Sequence, residues 1–186
     1  KSVIGVISVS DMVKEDSLKV IVYLNKEGYK TVMLTGDNER TAEAISRQVG
    51  IKEVVARVLP EDKSNKIEEL QKNGMVAFVG DGINDAPALK QANVGIAIGT
   101  GTDIAIESGD IVLAKGDLTG VVQAINLSKA TFGKIKQNLF WAFAYNVVAI
   151  PLAISGMLSP VVAEIAMALS SISVVTNANL LRRKKI

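Results

Sequence analysis

Asp81 and Asp85 stand four residues apart in the segment Val79-Gly80-Asp81-Gly82-Ile83-Asn84-Asp85-Ala86-Pro87-Ala88-Leu89. The apolar run Met75 to Val79 reads as a buried strand, which puts Asp81 at its end and Asp85 one turn further on. Two carboxylates held that close repel each other unless a cation lies between them. Hard oxygen ligands suit Mg²⁺, which takes one or two carboxylates and fills its octahedron with water and phosphate oxygens. Gly80 and Gly82 permit a tight turn and leave room for a phosphoryl group. Pro87 fits the first turn of a following helix, where its missing N–H costs nothing. The plainer alternative is a loop with two solvated acids.

The elements that would position this segment alternate along the chain. Val3–Val9, Thr31–Leu34, Val54–Val58, Met75–Val79, Val94–Ile98 and Ile111–Leu113 are short apolar runs expected as strands. Lys14–Lys26 carries Leu18, Ile21, Val22 and Leu24 near helical spacing and stops at Gly28. Asp37 or Asn38 can cap a helix running to about Val49. Pro60 opens a helix from Glu61 to Lys72, ended by Asn73-Gly74. Strands alternating with helices predict a mainly parallel sheet, whose ligands bind beyond the carboxyl ends of the strands. Thr35, Asp37 and Asp81 fall at those ends.

Charge divides the 186 residues in two. Residues 1–137 carry 17 Lys and Arg against 18 Asp and Glu, whereas residues 138–181 carry one charge, Glu164. A helix from Leu118, with Lys129, Lys134 and Lys136, leads into the uncharged segment Asn138–Met157. After a turn at Gly156 to Pro160, Val161–Leu181 returns. At about 1.5 Å per residue both segments cross a hydrocarbon core of roughly 30 Å. The cations at both outer ends, Lys129–Lys136 and Arg182–Lys185, place those ends and the soluble part in the cytoplasm. The mild net charge of +2 comes from the terminal cations and gives no sign of nucleic-acid binding. Without Cys or His, disulfide, thiolate and imidazole sites are excluded within this chain. The chain opens on Lys1 with nothing like a signal peptide, as a piece of something longer would.

Four stretches occur in a telling order: Met33-Leu34-Thr35-Gly36-Asp37-Asn38, Leu59-Pro60-Glu61-Asp62-Lys63, Val79 to Leu89, and Thr100-Gly101-Thr102-Asp103-Ile104-Ala105-Ile106-Glu107. Together they resemble the phosphorylation domain of P-type ATPases, the ion pumps of the haloacid dehalogenase superfamily. The resemblance runs from about Val3 to the C-terminus. It implies an α/β, haloacid-dehalogenase-like (Rossmann-like) sheet with flanking helices, followed by a two-helix transmembrane hairpin. It further implies that Thr35 and Lys63 contact a phosphoryl group, with Gly36 in the same turn and Asp37 near the nucleotide. Asp81 would ligate Mg²⁺, and Asn84 and Asp85 would hold the site around the ion, Asp85 counting with Asp81 as a magnesium residue. The family's nucleophile, an Asp in Asp-Lys-Thr-Gly-Thr, is not in the chain and is expected upstream with the nucleotide-binding and actuator domains. The chain alone is therefore expected not to turn over ATP.

The hairpin suggests the transported ion. Polar side chains inside a membrane are functional candidates by default, and Met167 and Ser171 share a helix face. A thioether is a soft ligand that suits Cu(I) better than Mg²⁺, Ca²⁺ or Zn²⁺. Tyr145-Asn146 followed by Met167, Ser170 and Ser171 resembles the copper(I) pumps among these ATPases. The Lys and Asp that zinc and cadmium pumps carry in these spans are absent. The expected domains are the soluble portion (1–128), a connecting helix (129–137), two spans (138–157 and 161–181) and a basic tail (182–186). The expected partners are membrane lipid and the rest of the pump. Two rivals stay open: a soluble Mg²⁺-dependent phosphatase of the superfamily, and a non-catalytic membrane-anchored module that binds or regulates a pump.

Overall fold

Short β-branched runs separated by amphipathic segments become five strands and seven α-helices in the computed structural model, which describes residue 4, residues 12–99 and residues 103–184. The strand expected at Val3–Val9, save Ile4, the stretch Thr100-Gly101-Thr102, and Lys185 lie outside the described residues. The chain divides into two compact units, Lys1–Val122 and Gln123–Ile186.

In the first unit α1 (Ser17–Lys26) leads to β1 (Val32–Leu34), α2 (Glu39–Val49) and β2 (Glu53–Val55). Then come α3 (Asp62–Gln71), β3 (Ala77–Gly80), a one-turn 3₁₀ helix (Ile83–Asp85) and α4 (Ala86–Gln91). The unit continues with β4 (Val94–Ile98), α5 (Asp103–Ser108) and β5 (Ile111–Leu113). Every strand pairing among the described residues is parallel. β1 pairs with β2 from Val32–Glu53 to Leu34–Val55, and β3, β4 and β5 form a second sheet in that order. The predicted parallel architecture is therefore present, in two pieces. Leu89 and Ala97, both essentially buried, form a core with Phe78 packed against them, which seats α4 on β3 and β4.

Several boundaries move for identifiable reasons. β2 stops before Val58 because the chain turns into the left-handed region at Arg57, φ 55°. β3 starts late because the Asn93 side chain takes the Val76 N–H at 2.8 Å. α1 starts at Ser17 because Lys14 and Asp16 before it are tied to residues 116–119. Lys14 Nζ donates to the Gly116 carbonyl, and the Asp16 carboxylate accepts from Leu118 N (2.6 Å) and Thr119 N (3.0 Å). Asp16 thereby caps the first turn of α6 (Thr119–Ile154). The Thr119 hydroxyl bonded to Asp117 holds that carboxyl below its usual range. Of the apolar residues that suggested α1, Ile21 is buried, whereas Leu18 and Val22 face outward. The buried face is set by the partners α1 packs against, not by its apolar count.

The second unit holds the rest of α6, then α7 (Pro160–Asn179) and a 3₁₀ turn (Leu180–Arg183). The connecting helix and first span expected separately are one uninterrupted helix, which ends three residues short of Met157. Gly156 at φ 72° is its left-handed terminator. Ser159 caps α7 by accepting from Val162 N, with Pro160 at the first helical position. Both helices are long and apolar enough to cross a membrane.

The helix beginning beside the Thr35 loop depends on Asn38, whose Oδ1 accepts from Thr41 N (3.0 Å) and Thr41 Oγ1 (3.2 Å). Asn38→Ala should cost about 1 kcal/mol of stability, and Asn38→Asp much less. Chemical denaturation of the two variants checks the difference.

Candidate functional site

Parallel strands end where their ligands bind, and two loops leave such ends. After β1, Thr35 donates its N–H to the Val55 carbonyl (3.0 Å), so that donor is committed to the sheet. Its hydroxyl donates to Asp37 Oδ2 and accepts from Asp37 N, both at 3.1 Å. Among the described residues the Gly36 N–H donates to no group, which leaves it as the loop's available backbone donor. Thr35 is half-buried, and Gly36 and Asp37 are exposed.

Opposite this loop stands a residue that the sequence did not single out. In an extended strand successive N–H groups point to opposite sides. The left-handed backbone of Arg57 breaks that alternation. Arg57 N then reaches Asp37 O (2.8 Å), and Val58 N reaches Thr35 O (3.0 Å), so two consecutive donors clamp one loop. This conformation costs a side-chain-bearing residue about 1–2 kcal/mol. The guanidinium lies 3.6 Å from Glu39 in an exposed pair that adds little. No sequence signal marks the turn, because Arg stands where Gly or Asn would have advertised it.

The second loop follows β3. Asp85 is buried, and both its oxygens are engaged. Oδ1 accepts from Lys63 Nζ at 2.7 Å, while Oδ2 accepts from Asp81 N (3.3 Å) and Gly82 N (3.2 Å). The countercharge of Asp85 is thus the ammonium of Lys63, which retains two further donors. Gly80 is required by this packing: a Cβ there would sit 2.8 Å from Asp85 Cβ. With Asp85 turned inward, Asp81 is left exposed at the strand end, and its carboxylate makes no hydrogen bond or ion pair among the described residues. Asn84 is exposed beside it. No hydrogen bond among the described residues joins the Thr35 loop to the Lys63–Asp85 group. The donor set fits Mg²⁺. It offers one unpaired hard carboxylate, and no cluster of three or more His, Cys, Asp or Glu is found among the described residues. That suits an ion that draws most of its shell from water and phosphate.

In the second unit Tyr145 OH lies 3.2 Å from Ser173 Oγ, which ties α6 to α7. Asn146 Nδ2 donates to Ala142 O (2.8 Å), and Ser171 Oγ to Met167 O (3.2 Å), each within its own helix. Met167 is exposed. The structure joins Ser171 to Met167 along one helix, whereas the cross-helix partner of Tyr145 is Ser173.

Comparison with known proteins bears on the fold and the family. A family described as haloacid dehalogenase-like hydrolase matches residues 1–93. The chain is 59% identical over 190 residues to copper-transporting ATPase 2 of Rhizobium meliloti, covering 98% of this chain and 23% of that protein. It is 55% identical over 183 residues to a copper-exporting P-type ATPase of Staphylococcus saprophyticus, again covering 98% of this chain and 23% of the relative. The crystal structure of a zinc-transporting PIB-type ATPase in its E2.Pi state superposes with a TM-score of 0.87 at 41% identity, covering 92% of this chain and 28% of that one. The chain spans about a quarter of the length of these proteins.

The clamp opposite Thr35 rests on the backbone of residue 57 and not on its charge. Arg57→Gly should leave stability unchanged or raise it slightly, while Arg57→Val should lower it by about 1–2 kcal/mol. Denaturant midpoints of the pair check this. Equal losses in both variants would assign the effect to the guanidinium.

Proposed function

The chain belongs to the haloacid dehalogenase-like hydrolase family, and on that footing we propose that it is the C-terminal part of a copper(I)-exporting P-type ATPase. In this reading residues 1–128 complete the cytoplasmic phosphorylation domain, and residues 129–137 connect it to spans at 138–157 and 161–181. A cytoplasmic basic tail follows at 182–186. ATP phosphorylates an Asp that lies upstream in the pump, and hydrolysis of that aspartyl phosphate drives Cu(I) out of the cytosol. Membrane lipid and the remaining domains and spans are its partners.

One arrangement carries the catalytic half of the proposal. Asp85, held by Lys63 and two backbone N–H groups, leaves Asp81 unpaired at the end of a parallel strand. Asp81 would hold Mg²⁺, which neutralises phosphoryl charge when bound, with Asp85 and Asn84 around it. Phosphoryl transfer asks a protein mainly for positioning and charge compensation. Gly36 supplies an unspent N–H toward the phosphoryl oxygens, and the Thr35 hydroxyl would have to turn its one proton from Asp37 to reach them. Asp37 holds the Thr35 hydroxyl in place from within the same turn. Lys63, anchored by Asp85, presents its remaining donors.

The choice of ion rests on the second unit and on the relatives' names. Met167 supplies a soft donor one turn from Ser171, and Tyr145 and Asn146 stand on the adjoining helix. Soft thioether ligands select monovalent copper over hard divalent ions. Both relatives described above carry copper in their names.

In the full-length enzyme, Asp81→Asn should lower phosphoenzyme formation from radioactive ATP by at least about a hundredfold, while nucleotide binding persists. Labelling at the wild-type level would place the Mg²⁺ ligand elsewhere. Met167→Leu conserves volume and should alter stability by less than about 1.5 kcal/mol. It should nevertheless weaken Cu(I) binding in the membrane and Cu(I)-stimulated turnover, leaving phosphorylation by inorganic phosphate intact. Unchanged Cu(I) affinity would reduce Met167 to packing.

A further inference from the structure

The second unit has a charge imbalance that the pumping reaction does not use. Residues 123–186 contain seven Lys and Arg and a single acid, Glu164. Glu164 lies near the start of α7, whereas the cations lie at the other end of the helix pair, before Asn138 and after Asn179. Among the described residues none of Lys134, Lys136, Arg182, Arg183 or Lys184 pairs with a carboxylate. So concentrated a charge attracts anions from outside the unit.

Lys134 shows where that anion would sit. Its Nζ donates to Asn177 Oδ1 on α7 (2.7 Å) and to Gln137 Oε1 (3.1 Å), and Asn177 Nδ2 donates in turn to Asn138 Oδ1 (2.8 Å). Neutral amides orient an ammonium without cancelling its charge, and one of its three donors stays free. The contact with Asn177 draws the Lys134 cation onto α7, five residues before Arg182. Charges from both helices therefore gather at one end. Beside them Leu139, Phe140 and Leu180 are exposed. A ligand matched to this surface has a phosphate next to hydrocarbon.

Resting on the membrane-spanning reading of α6 and α7, we propose that this end of the hairpin, centred on Lys134 and Arg182, binds the phosphate headgroup of an anionic phospholipid. The apolar rim argues for a lipid over free phosphate, because inorganic phosphate would use the cations alone. Cations beside spanning helices on the cytoplasmic side bind anionic headgroups in this way.

The test uses the full-length protein purified in detergent and native mass spectrometry with added phosphatidylglycerol or phosphatidylcholine of matched chains. Wild type should retain phosphatidylglycerol preferentially. Lys134→Gln, whose amide can still donate to Asn177, and Arg182→Gln, outside the amide network, should each lower that preference by about fivefold. Equal retention of the two lipids by wild type would overturn the proposal, as would an unchanged preference in both variants. Loss of the preference on adding inorganic phosphate, at constant ionic strength, would make free phosphate the ligand and also overturn it. Flotation with phosphatidylcholine vesicles separates the premise: a protein that fails to co-float refutes membrane insertion itself, whereas one that co-floats without lipid preference refutes only the headgroup site.

Discussion

The ion pair between Lys63 and Asp85 is the contact on which the site in the first unit depends. It ties α3 to the loop after β3, and its side chains are only 16% and 12% exposed. Removing one partner of such a pair leaves a charge cut off from water and costs up to about 3–5 kcal/mol. Asp85 gains further from two backbone N–H groups, so its carboxylate is satisfied on both oxygens. Its inward turn has a second consequence: the neighbouring carboxylate, Asp81, faces out with no protein partner among the described residues. Two acids four residues apart thus acquire different chemistry from their surroundings, one as an anchor and one as a ligand in the proposed reaction.

The Thr35 loop is held by a different route. Here no ion pair among the described residues is buried, and the loop is held by backbone donors redirected by the left-handed residue Arg57. Local strain at one position is offset by two hydrogen bonds to another loop. Such strain persists where the surrounding structure over-determines it, and it tends to collect at functional sites. The two loops therefore hold their reactive groups by unlike means, one electrostatic and one conformational.

In the proposed function the two units also divide the chemistry by ligand hardness. Carboxylate, hydroxyl and ammonium groups stand at strand ends in the first unit, suited to phosphate and a hard cation. The apolar helices hold one soft donor, the Met167 thioether, beside neutral hydroxyls and amides, which carry no fixed charge of the kind the proposed membrane setting would make costly. Polar groups there are not left idle. Tyr145 with Ser173, and Lys134 with Asn177 and Asn138, stitch α6 to α7 at two levels.

What the sequence determined alone is what neighbours along the chain decide. β4 and β5 fall on the residues their apolar runs predict, and Asn38 caps α2 because a short polar side chain beside a helix start has few better options. The helices near Gly50 and Gly156 stop where a left-handed residue is cheap. The two long apolar helices were visible in the loss of charge after residue 137. Tertiary structure decided everything that needed a distant partner. Lys63 and Asp85 are 22 residues apart, Tyr145 and Ser173 are 28, and Lys134 and Asn177 are 43. The exposed faces of Leu18 and Val22 and the early end of β2 belong to the same class. Local propensities specify how the backbone bends within a few residues. Which face is buried, which acid is paired and which backbone conformation is tolerated depend on the energy of contacts that form only when remote segments meet.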